Sequence, residues 1–171
     1  MIGTQWIQFT WDTTKLPANP ISLDERYQLG QAVAADEALL LTAIERSYTT
    51  EQAWGADLRE RLDFINHVIA GSLATGEVTF LILRHGARII AASGVAETHS
   101  SQRHLVTGIC VMNEYRSRGL GTYLLHESLR QLKERGVTQA KALTKRGVTA
   151  EKFLYPKFGA ERQALAKALA A

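Results

Sequence analysis

The densest chemistry of the chain lies in Arg116-Ser117-Arg118-Gly119-Leu120-Gly121-Thr122. This stretch stands between an apolar run, His104 to Val111, and an amphipathic run, Tyr123 to Arg135. A strand, a glycine-bearing basic turn and a helix in that order form an anion cradle. The first N–H groups of a helix have no internal partner, and the helix dipole favours negative charge beside them. Glycine lets a backbone approach a ligand closely, and two arginines add mobile positive charge. Such a turn fits a phosphate or pyrophosphate. The plainer alternative is a glycine-assisted turn with solvated arginines. A P-loop needs Lys and then Ser or Thr after its second glycine, but Gly121 is followed by Thr122-Tyr123. A dinucleotide fingerprint needs glycine or alanine three residues further on, where Leu124 stands.

The elements that must position this turn can be read from periodicity. Ile7, Phe9 and Trp11 alternate with polar residues and predict a first strand. Ser22-Leu23-Asp24-Glu25 has the form of a capping box, which predicts a helix start near Leu23. Apolar residues at helical spacing predict further helices over Asp36 to Ser47 and Asp57 to Ala70. Val78 to Leu83 and Arg88 to Ala96 predict a hairpin about Arg84-His85-Gly86-Ala87. A strand over His104 to Val111, a helix over Gly119 to Arg135 and a strand over Thr138 to Thr144 form a crossover, so the two strands are parallel and the connection right-handed. A short helix begins at Thr149 or Ala150. The alanine-rich end, Glu161 to Ala171, fits either a last strand or a frayed helix.

At 171 residues the chain is expected to form one domain with a sizeable core. A lone cysteine, Cys110, lies in an apolar run and reads as a small buried hydrophobe, in keeping with a reducing compartment. The N-terminus lacks the pattern of a signal peptide, and no apolar stretch nears ~18 residues, so a cytoplasmic protein without a membrane span is expected. Charge is unevenly spread. Residues 1–115 hold 8 Lys+Arg and 13 Asp+Glu, a balance of −5, while residues 116–171 hold 12 and 4, a balance of +8. The basic half suits an anionic cofactor and also nucleic acid. A nucleic-acid-binding domain is disfavoured, because no known motif appears and the aromatics do not cluster with the basic residues.

Arg116-x-x-Gly119-x-Gly121 after a strand ending at Val111 resembles the acetyl-coenzyme A motif of the GNAT superfamily of N-acetyltransferases. Phe153-Leu154-Tyr155-Pro156-Lys157-Phe158-Gly159-Ala160 is similar to the family's Tyr-x-x-x-Gly-Phe segment, in its expected place after the next strand. The resemblance covers roughly residues 78–160. It departs at Met112-Asn113, where the family usually has His-Pro or Asn-Pro, at Ser117, where glycine is common, and at Ala160, usually an aromatic. The implied fold is α/β (α+β): a mixed, mostly antiparallel central sheet flanked by helices, with a parallel, splayed strand pair at 104–111 and 138–144. The implied unit is a single N-acetyltransferase domain over residues 1–171.

The resemblance further implies transfer of an acetyl group from acetyl-CoA, as co-substrate, to an amine of a small molecule or peptide. Backbone groups near Ile109 and Val111 would bond the pantetheine arm as an extra strand would. The turn Arg116, Ser117, Arg118, Gly119, Leu120, Gly121 and Thr122 would hold the pyrophosphate. Tyr155 matches the family's tyrosine near the sulfur and is assigned as general acid for the leaving thiolate. No metal is implied. The base is left open among water, Glu97, His99 and His104, with Thr107 and Glu97 as supports for a water. The inward positions Leu105, Thr107, Ile109 and Val111 offer no base, and His104 lies on the opposite face unless a bulge shifts the register. Glu114 and His126 read as solvated. A homodimer stays open, and a non-catalytic acyl-CoA-binding module is the alternative on the same fold.

Overall fold

The alternating run at the N-terminus does form a strand, but its place in the sheet is set by partners far along the chain. The computed structural model describes residues 6–18, 21–97 and 103–165. Strands β1 (Trp6–Asp12), β2 (Tyr27–Gln31), β3 (Thr79–His85), β4 (Arg88–Val95), β5 (Leu105–Val111), β6 (Gln139–Lys145) and β7 (Glu161–Leu165) build two half-sheets. One has the order β2-β3-β4-β5 and the other β6-β1-β7, and every ladder in them is antiparallel. The helices are α1 (Glu37–Thr49), α2 (Leu58–Ser72), α3 (Leu120–Glu134) and the short α4 (Thr149–Phe153). Among the described residues no helix is long and apolar enough to cross a membrane.

β4 is buried from Ile89 to Val95, as a strand is when both its faces are covered. The helices packed on it are α1 and α3. The apolar stripe of α3, Leu120, Leu124, Leu125, Leu129 and Leu132, is buried, and the Ser128 hydroxyl donates to Ser93 Oγ of β4 at 2.9 Å.

The crossover β5-α3-β6 sets β5 and β6 side by side in one direction. They join near their starts, where the His104 N–H donates to Lys141 O at 2.9 Å and the Lys141 N–H donates to His104 Nδ1 at 3.0 Å. Beyond that link no ladder joins them among the described residues, and the strands diverge into a cleft.

Two expectations need correction, and one open alternative is decided. No helix starts at Leu23: Asp24 instead holds a turn, its Oδ1 accepting from the Arg26 N–H at 2.9 Å, and the chain enters β2 at Tyr27. A short acidic side chain bonded to the backbone two residues on competes with helix initiation. The end of the chain is strand over Glu161–Leu165, and residues 166–171 lie outside the described residues. His126 is buried, with Nε2 2.8 Å from Pro17 O, whereas Glu114 is exposed and pairs with Arg88.

Candidate active site

The site begins with an irregularity in β5. Ser93 pairs with Ile109 and Val95 with Leu105, so β4 advances by two residues while β5 advances by four. The extra residues form a bulge over Val106, Thr107 and Gly108 and release backbone groups that burial requires to be bonded. Side chains from two helices, from the segment after α4 and from the bulge itself supply the partners. Tyr48 Oη on α1 donates to Thr107 O at 2.5 Å, and Arg61 Nη2 on α2 donates to Val106 O at 3.2 Å. Thr107 Oγ1 donates to Gly108 O at 2.9 Å and accepts from the Gly94 N–H at 2.8 Å. The Ile109 N–H donates to Tyr155 Oη at 2.9 Å. Gly108 has φ +72°, and a Cβ there would lie 2.7 Å from Tyr155 Oη.

Tyr155 follows α4 and is 3% exposed, packed against Phe9 and Trp11 of β1 at ring separations of 5.4 and 5.8 Å. Its oxygen accepts from Ile109, and its own O–H finds no acceptor among the described residues. Burial, and then the neighbouring Tyr48, push its pKa well above the ordinary phenol value, against the pull of the Ile109 N–H. It is therefore a protonated donor at neutral pH, opening on the cleft. Burial raises Tyr48 to about 12 and Cys110 to about 11, so both stay protonated and Cys110 is the inert thiol expected.

After β5 the chain makes a tight turn. Ser117 adopts φ +63° and Gly119 φ +78°, both in the left-handed region, so Ser117 is held under backbone strain. The N–H groups of Ser117 to Thr122 have no acceptor among the described residues, as an anion cradle requires. The arginines are not the mobile charges expected. Arg116 donates to Val111 O at 3.1 Å, to Glu51 Oε1 at 3.0 Å and to Ser47 O at 2.8 Å, which ties the turn to the end of α1. Arg118 donates to Tyr27 Oη and Glu114 O, each at 3.1 Å, and stacks on Tyr115. Carbonyls and a phenol already occupy these guanidinium donors. The cation that does reach the cradle is Lys157, whose Nζ donates to Thr122 Oγ1 at 3.0 Å while the Trp11 indole fixes its carbonyl at 2.9 Å. Its presence in the second motif was the only sequence signal for it.

Tyr155, Ile109, Val111 and the turn from Arg116 to Thr122, Arg118 apart, line one cavity of about 390 Å³. Tyr48, Glu51 and Trp54 close its far wall, and Glu51 is the one acidic side chain among the lining residues. The Val111 and Ile109 backbone groups named above as pantetheine partners are engaged by Arg116 and Tyr155. Of the open base candidates, Glu97 and His104 do not line this cavity. Glu97 is exposed in its loop, and His99 lies outside the described residues. The bulge that would re-aim His104 exists, but His104 precedes it and its Nδ1 is held by Lys141. Burial and Lys141 lower its pKa. Thr107 Oγ1 is engaged within the bulge, so it does not support a water in the cleft.

Residues 76–159 match the family described as Acetyltransferase (GNAT) domain. A GCN5-related N-acetyltransferase from Sphaerobacter thermophilus superposes with a TM-score of 0.66 at 15% identity, over 95% of this chain and 50% of that one. A GCN5-related N-acetyltransferase from Ralstonia eutropha JMP134 gives 0.56 at 20% identity, over 78% and 91%. A Drosophila protein gives 0.66 at 13% identity, over 95% and 49%. The chain thus spans about half the length of the Drosophila and Sphaerobacter proteins. At these identities the likeness is one of fold. No curated protein sequence matches the chain.

Proposed function

We propose that this chain, whose residues 76–159 match the GNAT acetyltransferase domain, moves an acetyl group from acetyl-CoA to a primary amine of a small molecule or peptide. The observation that carries this reading is that one cleft holds both a protonated, buried Tyr155 hydroxyl and a turn of unbonded N–H groups. The N–H groups of Ser117 to Thr122 hold the pyrophosphate, with Lys157 as the adjacent cation. The pantetheine arm lies along Ile109 and Val111. Arg116 and Arg118 shape the turn.

In the reaction the free amine attacks the thioester carbon, a C–N bond forms, and the C–S bond breaks. Tyr155 gives its proton to the departing thiolate. The Ile109 N–H then stabilises the phenolate, since its bond is to the Tyr155 oxygen. A free thiol titrates near ~8.5, far below a buried phenol, but the same dry surroundings penalise the thiolate too, which narrows the mismatch. The amine loses its proton to water in the open cleft.

The test is calorimetric titration with coenzyme A, followed by thiol release from acetyl-CoA in the presence of a panel of amines, peptides and antibiotics. Binding with amine-dependent release is expected. Binding without release from any amine favours a non-catalytic acyl-CoA-binding module, and absence of binding overturns the reading.

A further inference from the structure

Past the His104–Lys141 link, the width of the cleft is not fixed by any strand ladder among the described residues. The Tyr155–Ile109 and Lys157–Thr122 bonds cross the cleft from arm to arm, and one side chain that belongs to neither arm, Glu51, bonds to both. Glu51 follows α1 in an extended conformation, φ −101° and ψ 99°, which directs it away from the helix. Its Oε1 accepts from Arg116 Nη1 at 3.0 Å and from the Thr149 N–H at 3.2 Å, and its Oε2 lies 3.3 Å from the same N–H. Arg116 belongs to the arm that leaves β5, and Thr149 opens α4 on the arm that leaves β6. The carboxylate is only 15% exposed and its guanidinium partner 24%, so solvent screens the pair less than a surface pair. The second guanidinium edge of Arg116 grips Ser47 O, which anchors the same bridge to α1. The cavity is open with this bridge in place, so the bridge does not plug it.

We propose that Glu51 is a positioning residue for the donor: a cross-brace that holds the two arms of the cleft at the separation the coenzyme needs. The inference rests on the reading of the cleft as a coenzyme A site. Pre-set width lowers the ordering cost of binding, so cutting the brace weakens affinity.

Two variants cut it in different places. Glu51→Gln keeps size but loses the charge that holds both donors. Thr149→Pro leaves Glu51 intact and deletes only the N–H on the β6 arm. Proline is well tolerated at the first position of a helix, and Val148 already has the extended geometry, φ −70° and ψ 154°, that precedes proline. Coenzyme A affinity is measured by calorimetry, with melting curves confirming the fold of each variant. Both are expected to bind about tenfold more weakly than the parent, the effect of one lost charge-assisted hydrogen bond. Combined with Arg116→Met, Glu51→Gln is expected to add little, because both cut the same bridge. If the parent binds coenzyme A and folded Thr149→Pro and Glu51→Gln bind it equally well, the brace is refuted while the site reading stands. If the parent does not bind, both fall.

Discussion

Tyr155→Phe removes one oxygen from the cleft and leaves the ring against Phe9 and Trp11. Two effects of different size follow. The Ile109 N–H loses its partner, and an unbonded buried donor costs about 1–3 kcal/mol, less if a water in the cleft replaces the hydroxyl. That is a stability cost, read as a lowered melting temperature. The catalytic cost is separate. Loss of a positioned general acid lowers turnover by about 10²- to 10⁴-fold. Coenzyme affinity should change little, because the cradle N–H groups are untouched. The assay is steady-state thiol release with an accepted amine, together with calorimetric titration of coenzyme A. The pH profile supplies a second check. Burial raises the Tyr155 pKa above its ordinary value of 10, so the phenol stays protonated up to and beyond that pH. Parent kcat should show no alkaline loss from this group below about pH 10. Unchanged turnover in Tyr155→Phe, or affinity falling as far as turnover, would refute the assignment.

Further outcomes follow from the same geometry. Gly108→Ala and Gly119→Ala both place a Cβ at positive φ and should each lose about 1–2 kcal/mol in melting experiments; the first also drives a Cβ against Tyr155 Oη and should lower kcat, whereas the second lies in the cradle and should weaken coenzyme A binding instead. His104 has its pKa lowered by burial and Lys141, so below pH 6.5 the unfolded chain takes up the proton first. Its contribution is complete above that pH and drains away as pH falls toward the folded value, so the melting temperature should drop from pH 7 to 5 and His104→Asn should flatten that slope. An equal slope in the variant assigns the loss elsewhere. Lys157→Met should weaken coenzyme A binding about three- to tenfold in dilute buffer and by less at about 0.5 M salt; a loss independent of salt would mean that the lysine acts through packing.

The parts of this protein that could be read from its sequence are contiguous ones. The cradle is strand, turn and helix in one run of chain, and Tyr155 sits in a short segment with its own pattern. Where the reading ended, the missing partner was distant. Alternation at Ile7, Phe9 and Trp11 identifies a strand but not its neighbours, and β1 proves to be the middle strand of the β6-β1-β7 half-sheet, with Phe9 and Trp11 forming the wall behind Tyr155. Glu51 finds its partners 65 and 98 residues away, and the Trp11 indole meets Lys157 across 146. The arginines of the turn looked free because the α1 carbonyl and the Tyr27 hydroxyl that engage them belong to other elements. At Ser22 to Glu25 the local pattern itself misled, since an Asp-held turn and a helix cap share the same residue types.

The bulge explains why these distant pieces converge. A regular β5 would continue its ladder with β4, and Thr107, Gly108 and Ile109 would spend their backbone groups there. The bulge fits only because Gly94 has no side chain: a Cβ there would come within 2.9 Å of Thr107 Cγ2. Once the ladder is broken, Val106 O, Thr107 O and the Ile109 N–H must be bonded by something else, and only side chains from α2, α1 and the segment after α4 reach them. Satisfying those groups draws Arg61, Tyr48 and Tyr155 to one point. The proposed acid, Tyr155, is therefore placed by the same hydrogen bond that repairs the strand. Any change that straightens β5 should remove the acid from the site even with Tyr155 still in the sequence.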